Sequence, residues 1–313
     1  MKILVTGGCG YKGHVLVPKL LSRGYSVVVV DTQWFGNYLI PHKNLLVLQG
    51  DIRSVRDIPL DDVDCVIHLA SIANDPCGDL DPKLTWEVSA LATMQLADRA
   101  RRFEVKQFIY ASSGSVYGIK DELEVTESLE LEPITEYNKT KMVSERVLLS
   151  YCDDMAVQIV RPATVCGLSP RMRFDVSVNM LTIQALTKGL ITVFGGAQTR
   201  PNIHIDDISD VYLHLIDYPE LNGVYNAGFE NISILDIAKL VAKYAPAQIE
   251  VTESSDPRSY RVNSDKLLST GFKPKKSIED AIQEIAIKYH SGELKDEERF
   301  SNLKWMQKTI LAK

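Results

Sequence analysis

The segment from Ile3 to Gly13 constrains the chain most: three consecutive apolar residues, Ile3, Leu4 and Val5, run into a turn with Gly7, Gly10 and Gly13 at three-residue spacing. Three apolar residues ending in such a turn read as a buried strand followed at once by a helix. Gly7 permits the tight turn, Gly10 lets a pyrophosphate approach the main chain, and Gly13 lets the helix pack closely on the strand. The unsatisfied N–H groups and positive dipole end of that helix would then hold phosphates. Glycines at this spacing also occur in ordinary strand-to-helix turns, so the context has to decide.

A second apolar run, Val27 to Val30, ends in Asp31, where a carboxylate can accept hydrogen bonds from both adenosine ribose hydroxyls and repel a 2′-phosphate. The expected cofactor is therefore NAD rather than NADP. Lys12 puts a positive charge inside the turn, to lie along the pyrophosphate or in solvent.

Further apolar runs at 45–48, 65–70 and 107–111 read as buried parallel strands, separated by segments of helical or mixed pattern. This is the α/β alternation of a Rossmann-type doubly wound parallel sheet. Helices are expected at 82–102, after an Asp81-Pro82 start signal, and at about 135–150, and a strand at 156–161 ending at Pro162. Beyond that the pattern loosens into helices near 175–188, 207–217, 233–245 and 277–289, with strands near 191–194, 223–226 and 248–252. Residues 1–165 are expected to form an NAD-binding domain carrying the catalytic groups. Residues 166–313 would form a smaller mixed α/β region for substrate, with some segments returning to the first domain.

With 313 residues, 45% of them hydrophobic, the chain can bury a large core without covalent staples. The five cysteines, Cys9, Cys65, Cys77, Cys152 and Cys166, are scattered and lack CxxC spacing, which suits a reducing compartment and argues against a structural zinc site. The chain opens on a strand, and no apolar run approaches the ~20 residues of a membrane span. The expectation is a cytoplasmic protein that binds no metal, no membrane and, with a net charge of −6, no nucleic acid.

Tyr137 and Lys141 stand four apart on the expected 135–150 helix, so both side chains share one face. A nearby ammonium would lower the phenol pKa and let Tyr137 act as base or acid closer to neutral pH. Such pairs are also common on solvated helix faces. Here the pair follows a strand whose end, Ser112 to Gly118, offers hydroxyls, of which Ser113 is the candidate to donate a hydrogen bond to a substrate oxygen.

Together these features resemble the extended short-chain dehydrogenase/reductase family, the group of nucleotide-sugar epimerases, dehydratases and reductases. The resemblance rests on the glycine turn, Asp31, Gly50-Asp51-Ile52, His68-Leu69-Ala70, the turn after Ser113 and Tyr137-x-x-x-Lys141. It continues through Arg161-Pro162 to Gly167 and Arg200-Pro201-Asn202 to Asp207, and so spans nearly the whole chain. It implies a cofactor site of Gly7, Gly10, Tyr11, Lys12, Gly13, Asp31, Asp51, Ile52, Ala70, Tyr137 and Lys141. It implies Ser113, Tyr137 and Lys141 as catalytic residues, and Ser113, Arg200, Arg258 and Asn179 as substrate contacts. It also implies a homodimer or dimer of dimers built on the helices near 82–102 and 135–150.

Departures from the family narrow the expected reaction. Its dehydratases place Asp-Glu after the catalytic Ser or Thr, where this chain has Gly114-Ser115; the Glu of decarboxylating members and the Cys of 3,5-epimerising reductases are absent too. Ser89 and Thr164 replace asparagines common in the family. The expected function is an NAD-dependent oxidoreductase or epimerase acting at a carbinol carbon, C4, of a nucleotide-linked sugar, supplying surface-polysaccharide precursors, with Tyr137 as the acid/base. The alternatives are a nucleotide-sugar 4-dehydrogenase or 4-reductase, an NADP-linked reductase of a small carbonyl compound, and a non-catalytic dinucleotide sensor.

Overall fold

The valine run and the strand before the glycine turn are β-branched, wholly apolar and buried on both faces, which only a sheet covered by helices on each side accommodates. The computed structural model describes residues 1–253 and 259–309. Six strands come first: β1 (Lys2–Thr6), β2 (Ser26–Asp31), β3 (Leu45–Gln49), β4 (Cys65–His68), β5 (Gln107–Ala111) and β6 (Ala156–Pro162). Then follow β7 (Thr164–Cys166), β8 (Leu190–Phe194), β9 (Thr199–His204), β10 (Gly223–Ala227), β11 (Glu230–Ser233) and β12 (Gln248–Thr252).

Seven of these form one parallel sheet in the order β10-β6-β5-β4-β1-β2-β3. The chain therefore reverses direction across the sheet between β1 and β4, the crevice where doubly wound folds bind ligands. Central β1 and β4 are almost fully buried, whereas edge strand β3 is half-exposed. One apolar core lies on each face, with Ile3, Val5, Val27 and Val29 in one and Leu4, Val28, Val30 and Val66 in the other. The later strands form the small sheets β11-β9-β7 and β12-β8, backed by a third core that includes Val178, Leu181, Ile191 and Ile237.

Local signals place the helices that matter. Thr135 caps the helix Glu136–Leu149 by accepting from the Asn138 N–H at 3.3 Å, and Asp81 with Pro82 opens the next helix as expected. The expected 82–102 helix is interrupted: Pro82–Trp86 passes through a π-helical turn, Glu87–Leu91, before Ala92–Arg102. The wide turn leaves the Ser89 carbonyl to side-chain donors, Thr93 Oγ1 at 2.9 Å and Ser144 Oγ at 2.8 Å. Ser144 lies on the Tyr137 helix, so the π turn ties the two helices together.

Beneath the later site lies a buried polar network. Arg161 grips Glu145 through Nη2 at 2.6 Å and Nε at 3.0 Å and donates to Tyr117 Oη at 2.7 Å, while Ser112 also donates to Glu145. Such a pair is tolerable only because each of its members is hydrogen-bonded. Helices Asp75–Leu80 and Asn302–Thr309 and strands β7, β9 and β11 are additions to the expected elements; all are eight residues or fewer, too short for periodicity to mark.

Candidate active site

The glycine turn leaves no room for side chains. Gly7 has φ +72°, and a Cβ on it would lie 2.6 Å from the Ala70 nitrogen. A Cβ on Gly13 would overlap the Gly8 carbonyl oxygen and stand 2.6 Å from the Gly8 Cα, so helix and turn touch backbone to backbone. On Gly10 a Cβ would meet only the Gly7 oxygen, at 3.1 Å. The turn opens on a cavity of about 420 Å³ at the carboxyl ends of β1, β2, β4 and β5.

Of the residues singled out in the sequence, Gly7, Gly10, Tyr11, Lys12, Gly13, Asp31, Asp51, Ile52 and Ala70 line this cavity, and so do Ser113, Tyr137, Lys141 and Arg200. Asp31 is fixed by two main-chain donors, Cys9 N–H at 2.9 Å and Gln33 N–H at 2.7 Å. Asp51 is held by Arg53 Nη2 at 2.7 Å, and Arg53 reaches on to Glu87 at 3.1 Å. The Tyr11 hydroxyl donates to the Gly167 carbonyl at 2.7 Å and accepts from Asn179 Nδ2 at 3.0 Å, which couples the turn to the far half of the chain. Lys12 is half-buried: its Nζ lies 3.5 Å from Tyr212 Oη, and burial, with Arg173 nearby, pushes its pKa down to about 8.

Ser113 and Tyr137 line the cavity together, with the serine turn packed against the helix Glu136–Leu149. Ser113 Oγ also lies 2.7 Å from Ser115 Oγ, which donates to Asn138 Oδ1 at 2.5 Å. Lys141 Nζ donates to the Ala111 carbonyl at 2.7 Å and sits 5.8 Å from the centre of the Tyr137 ring. The expectation of a lowered phenol pKa is not met in this state. Burial pushes Tyr137 up to about 12, Asp75 adds to that, and Ser113 and Arg173 pull the other way. Lys141 is itself pushed well below its usual value by burial and then by Lys12, with Glu145 pulling the other way.

Two sequence candidates do not join this group. Asn179 is fully buried behind the cavity, its amide spent on the Tyr11 hydroxyl, the Arg173 carbonyl at 3.0 Å and the Gly167 N–H at 3.0 Å. Arg258 lies outside the described residues.

The cavity also has residues that the sequence reading did not single out: Asn74, Arg171, Arg173, Asp175 and Asn302. Arg173 and Asp175 form a bidentate pair at 3.0 and 3.2 Å, and Asp175 accepts from Asn74 Nδ2 at 3.1 Å. Asn74 has φ +80° and ψ 161°, a conformation that costs a non-glycine residue about 1–3 kcal/mol, and caps the helix Asp75–Leu80 through the Cys77 N–H at 3.0 Å. An Asn-Asp-Pro start and the alternation Arg171-Met172-Arg173-Phe174-Asp175 were the available signals. Trp34 and Phe35, in the aromatic loop that follows Asp31, line the cavity as well.

The profile of the NAD dependent epimerase/dehydratase family matches residues 3–228. A UDP-glucose 4-epimerase of Lactobacillus helveticus is 27% identical over 326 residues, covering 93% of this chain and 98% of that protein. An uncharacterised UDP-glucose epimerase of Bacillus subtilis (strain 168) is 31% identical over 265 residues, 77% of this chain and 81% of its own length. Among solved structures, the UDP-glucuronic acid 4-epimerase of Bacillus cereus, in complex with UDP-glucuronic acid and NAD, superposes with a TM-score of 0.81. It is 27% identical and covers 93% of this chain and 99% of that one.

Proposed function

Because the chain belongs to the NAD dependent epimerase/dehydratase family, we propose that it is an NAD-dependent 4-epimerase of a nucleotide-linked sugar, with Tyr137 as the acid/base. One observation carries this reading: Ser113, Tyr137 and Lys141 meet in the same cavity as the glycine turn and Asp31. The residues suit the cofactor, since the turn offers a cradle that any Cβ would fill and Asp31 stands ready for ribose hydroxyls. When bound, NAD would supply the hydride acceptor and, in its oxidised form, a positive charge.

The chain's own residues do the rest. Tyr137 takes the proton of the C4 hydroxyl, Ser113 donates a hydrogen bond to that oxygen, and Lys141, anchored on the Ala111 carbonyl, holds the phenol's surroundings positive. Arg200, at the cavity wall, would meet the substrate diphosphate. A second acid/base next to Ser113 is disfavoured by packing: a Cβ on Gly114 would stand 3.3 Å from the Pro162 carbonyl oxygen. That favours chemistry confined to the carbinol carbon, with the keto sugar reduced on its other face.

The five thiols, four of them buried and none in a disulfide, suit the cytoplasm, where precursors of surface polysaccharide would be made. Among the described residues, no helix is long and apolar enough to cross a membrane. A second copy of the chain would cover Trp86, Leu91 and Met94, which expose 36, 49 and 39% of their surface on one side of the helices near the π turn; the mass in solution tests this pairing.

The deciding experiment releases and identifies the bound cofactor and then offers the intact protein a panel of nucleotide sugars. A C4-inverted product without net cofactor reduction supports the epimerase, and accumulation of NADH with a keto product would replace it by a dehydrogenase. Tyr137→Phe is expected to lower kcat by about 10²- to 10⁴-fold while NAD content stays unchanged. An unaltered rate would remove Tyr137 from the chemistry.

A further inference from the structure

We propose that Arg171 binds the diphosphate of the dinucleotide, so that the cofactor is clasped between the glycine turn and this guanidinium, which Asn302 near the C-terminus holds in place. The inference rests on the reading that the cavity holds NAD. Arg171 is only 2% exposed, yet it lines the cavity. Its Nη1 donates to the Met172 carbonyl at 3.3 Å and its Nη2 donates to Asn302 Oδ1, while among the described residues its Nε is buried without a partner.

Among the described residues Arg171 forms no ion pair, while Arg173 two positions on is paired with Asp175 at 3.0 Å. A guanidinium removed from water with only neutral acceptors is costly, and an anion entering the cavity would repay that cost. Burial and the charge of Arg173 already push its pKa down to about 9, against the opposing pull of Asp175 and Asp31. The guanidinium also lies 4.2 Å from the centre of the Phe35 ring, in the loop that follows Asp31. Arg171 therefore stands beside the loop that follows Asp31, within the field of that carboxylate, and lines the same cavity as the glycine turn whose N–H groups suit phosphates. Its planar fork suits phosphate oxygens better than hydroxyls.

Asn302 is a positioning residue in this arrangement. Its side chain accepts from Arg171, and its main-chain N–H donates to Asp175 Oδ2 at 3.1 Å. Next to it, the Phe174 N–H donates to the Phe300 carbonyl at 2.7 Å and the two rings meet edge to face at 5.8 Å. The C-terminal segment thus fixes the loop that carries Arg171 from both its main chain and its side chains.

The test uses full-length, NAD-loaded protein. Exchange of bound NAD against labelled NAD is timed, and displacement by ADP-ribose and by adenosine is measured for the wild type, Arg171→Gln, Arg171→Lys and Asn302→Ala. UDP binding to the same samples reports on the substrate's diphosphate. Arg171→Gln is expected to speed NAD exchange and weaken ADP-ribose about tenfold or more, with adenosine and UDP changed less than about twofold. Arg171→Lys recovers part of the loss, and Asn302→Ala shifts the same ratio by a smaller factor. Equal losses for ADP-ribose and adenosine would reduce Arg171 to a structural or ribose role, and a loss confined to UDP would assign it to the substrate. Either result overturns the inference while leaving the epimerase reading intact; a wild type that binds neither NAD nor ADP-ribose would remove both.

Discussion

The glycine turn at 7–13 and the segment 171–175 line the same cavity but are held by different means. The turn is main chain packed on main chain, with Gly13 against Gly8 and Gly7 against Ala70. The 171–175 segment is held by side chains and main chain that arrive from Asn74 and from residues 300 and 302, more than a hundred positions away in either direction. A wall built from backbone contact tolerates no added atom, whereas one built from separate hydrogen bonds loses stability in small steps. The first is suited to a constant cofactor contact, and the second to tuning how tightly that cofactor is held.

Acid should separate the two walls most strongly. Behind the turn, His14 accepts from the Tyr38 N–H at 2.9 Å through Nε2 and donates from Nδ1 to the Gly10 carbonyl at 2.9 Å. His68, on β4, is enclosed between Thr6 at 2.6 Å and Thr93 at 2.8 Å. Burial pushes His14 down to about 4, with Arg171 adding to the effect, and His68 down to about 3, with Lys141 adding. Both are neutral in the folded chain and charge more readily when unfolded, near pH 6.5. Their contribution is complete above that pH and is lost as pH falls toward the folded values. Between pH 7 and 5 the loss is about 2 kcal/mol for each histidine, read as a lower urea midpoint.

The Arg173–Asp175 pair should respond only at lower pH. Burial opposes its charge, but Arg173 holds the Asp175 carboxyl below the usual 3.8, so this contribution persists above that pH and fails only in stronger acid. An unchanged urea midpoint at pH 5 would contradict the buried, neutral histidines.

Gly13→Ala breaks the same wall sterically. The added Cβ overlaps the Gly8 carbonyl, whose carbon it would meet at 2.5 Å, and backbone atoms cannot rotate aside, so helix and turn must part. The expected cost is about 3 kcal/mol, despite the better helix propensity of alanine, together with loss of bound NAD on purification. Full cofactor content in a normally stable variant would show that the turn yields more easily than its contacts imply.

The same difference explains what could be read from the sequence. The turn, Asp31 and the Tyr137–Lys141 pair announce themselves because their partners lie within one strand–turn–helix or one helical turn, where spacing fixes geometry. Arg171 and Asn302 meet across 131 positions, and no local period connects them. Asn179 was misplaced for a related reason: its helix was legible, but not that Tyr11, 168 positions earlier, would claim its amide. The lowered phenol pKa expected of Tyr137 failed because spacing reveals proximity to Lys141 but not how far both are removed from water.

The gentlest probe acts on the side-chain wall alone. Trp305 Nε1 donates to the Trp34 carbonyl at 2.6 Å, joining the C-terminal helix to the aromatic loop over the cavity. Trp305→Phe removes that donor and keeps an aromatic ring; both residues are half-buried, so water can reach the released carbonyl and the cost should be about 1 kcal/mol. That is roughly a third of the Gly13→Ala effect, and NAD should remain bound after purification. The variant should still exchange NAD faster than the wild type, because the loop that carries Phe35, the stacking partner of Arg171, has lost one of its anchors. A Trp305→Phe cost equal to that of Gly13→Ala would mean that the C-terminal helix and the glycine turn unfold as one unit, and that the two walls differ in construction but not in cooperativity.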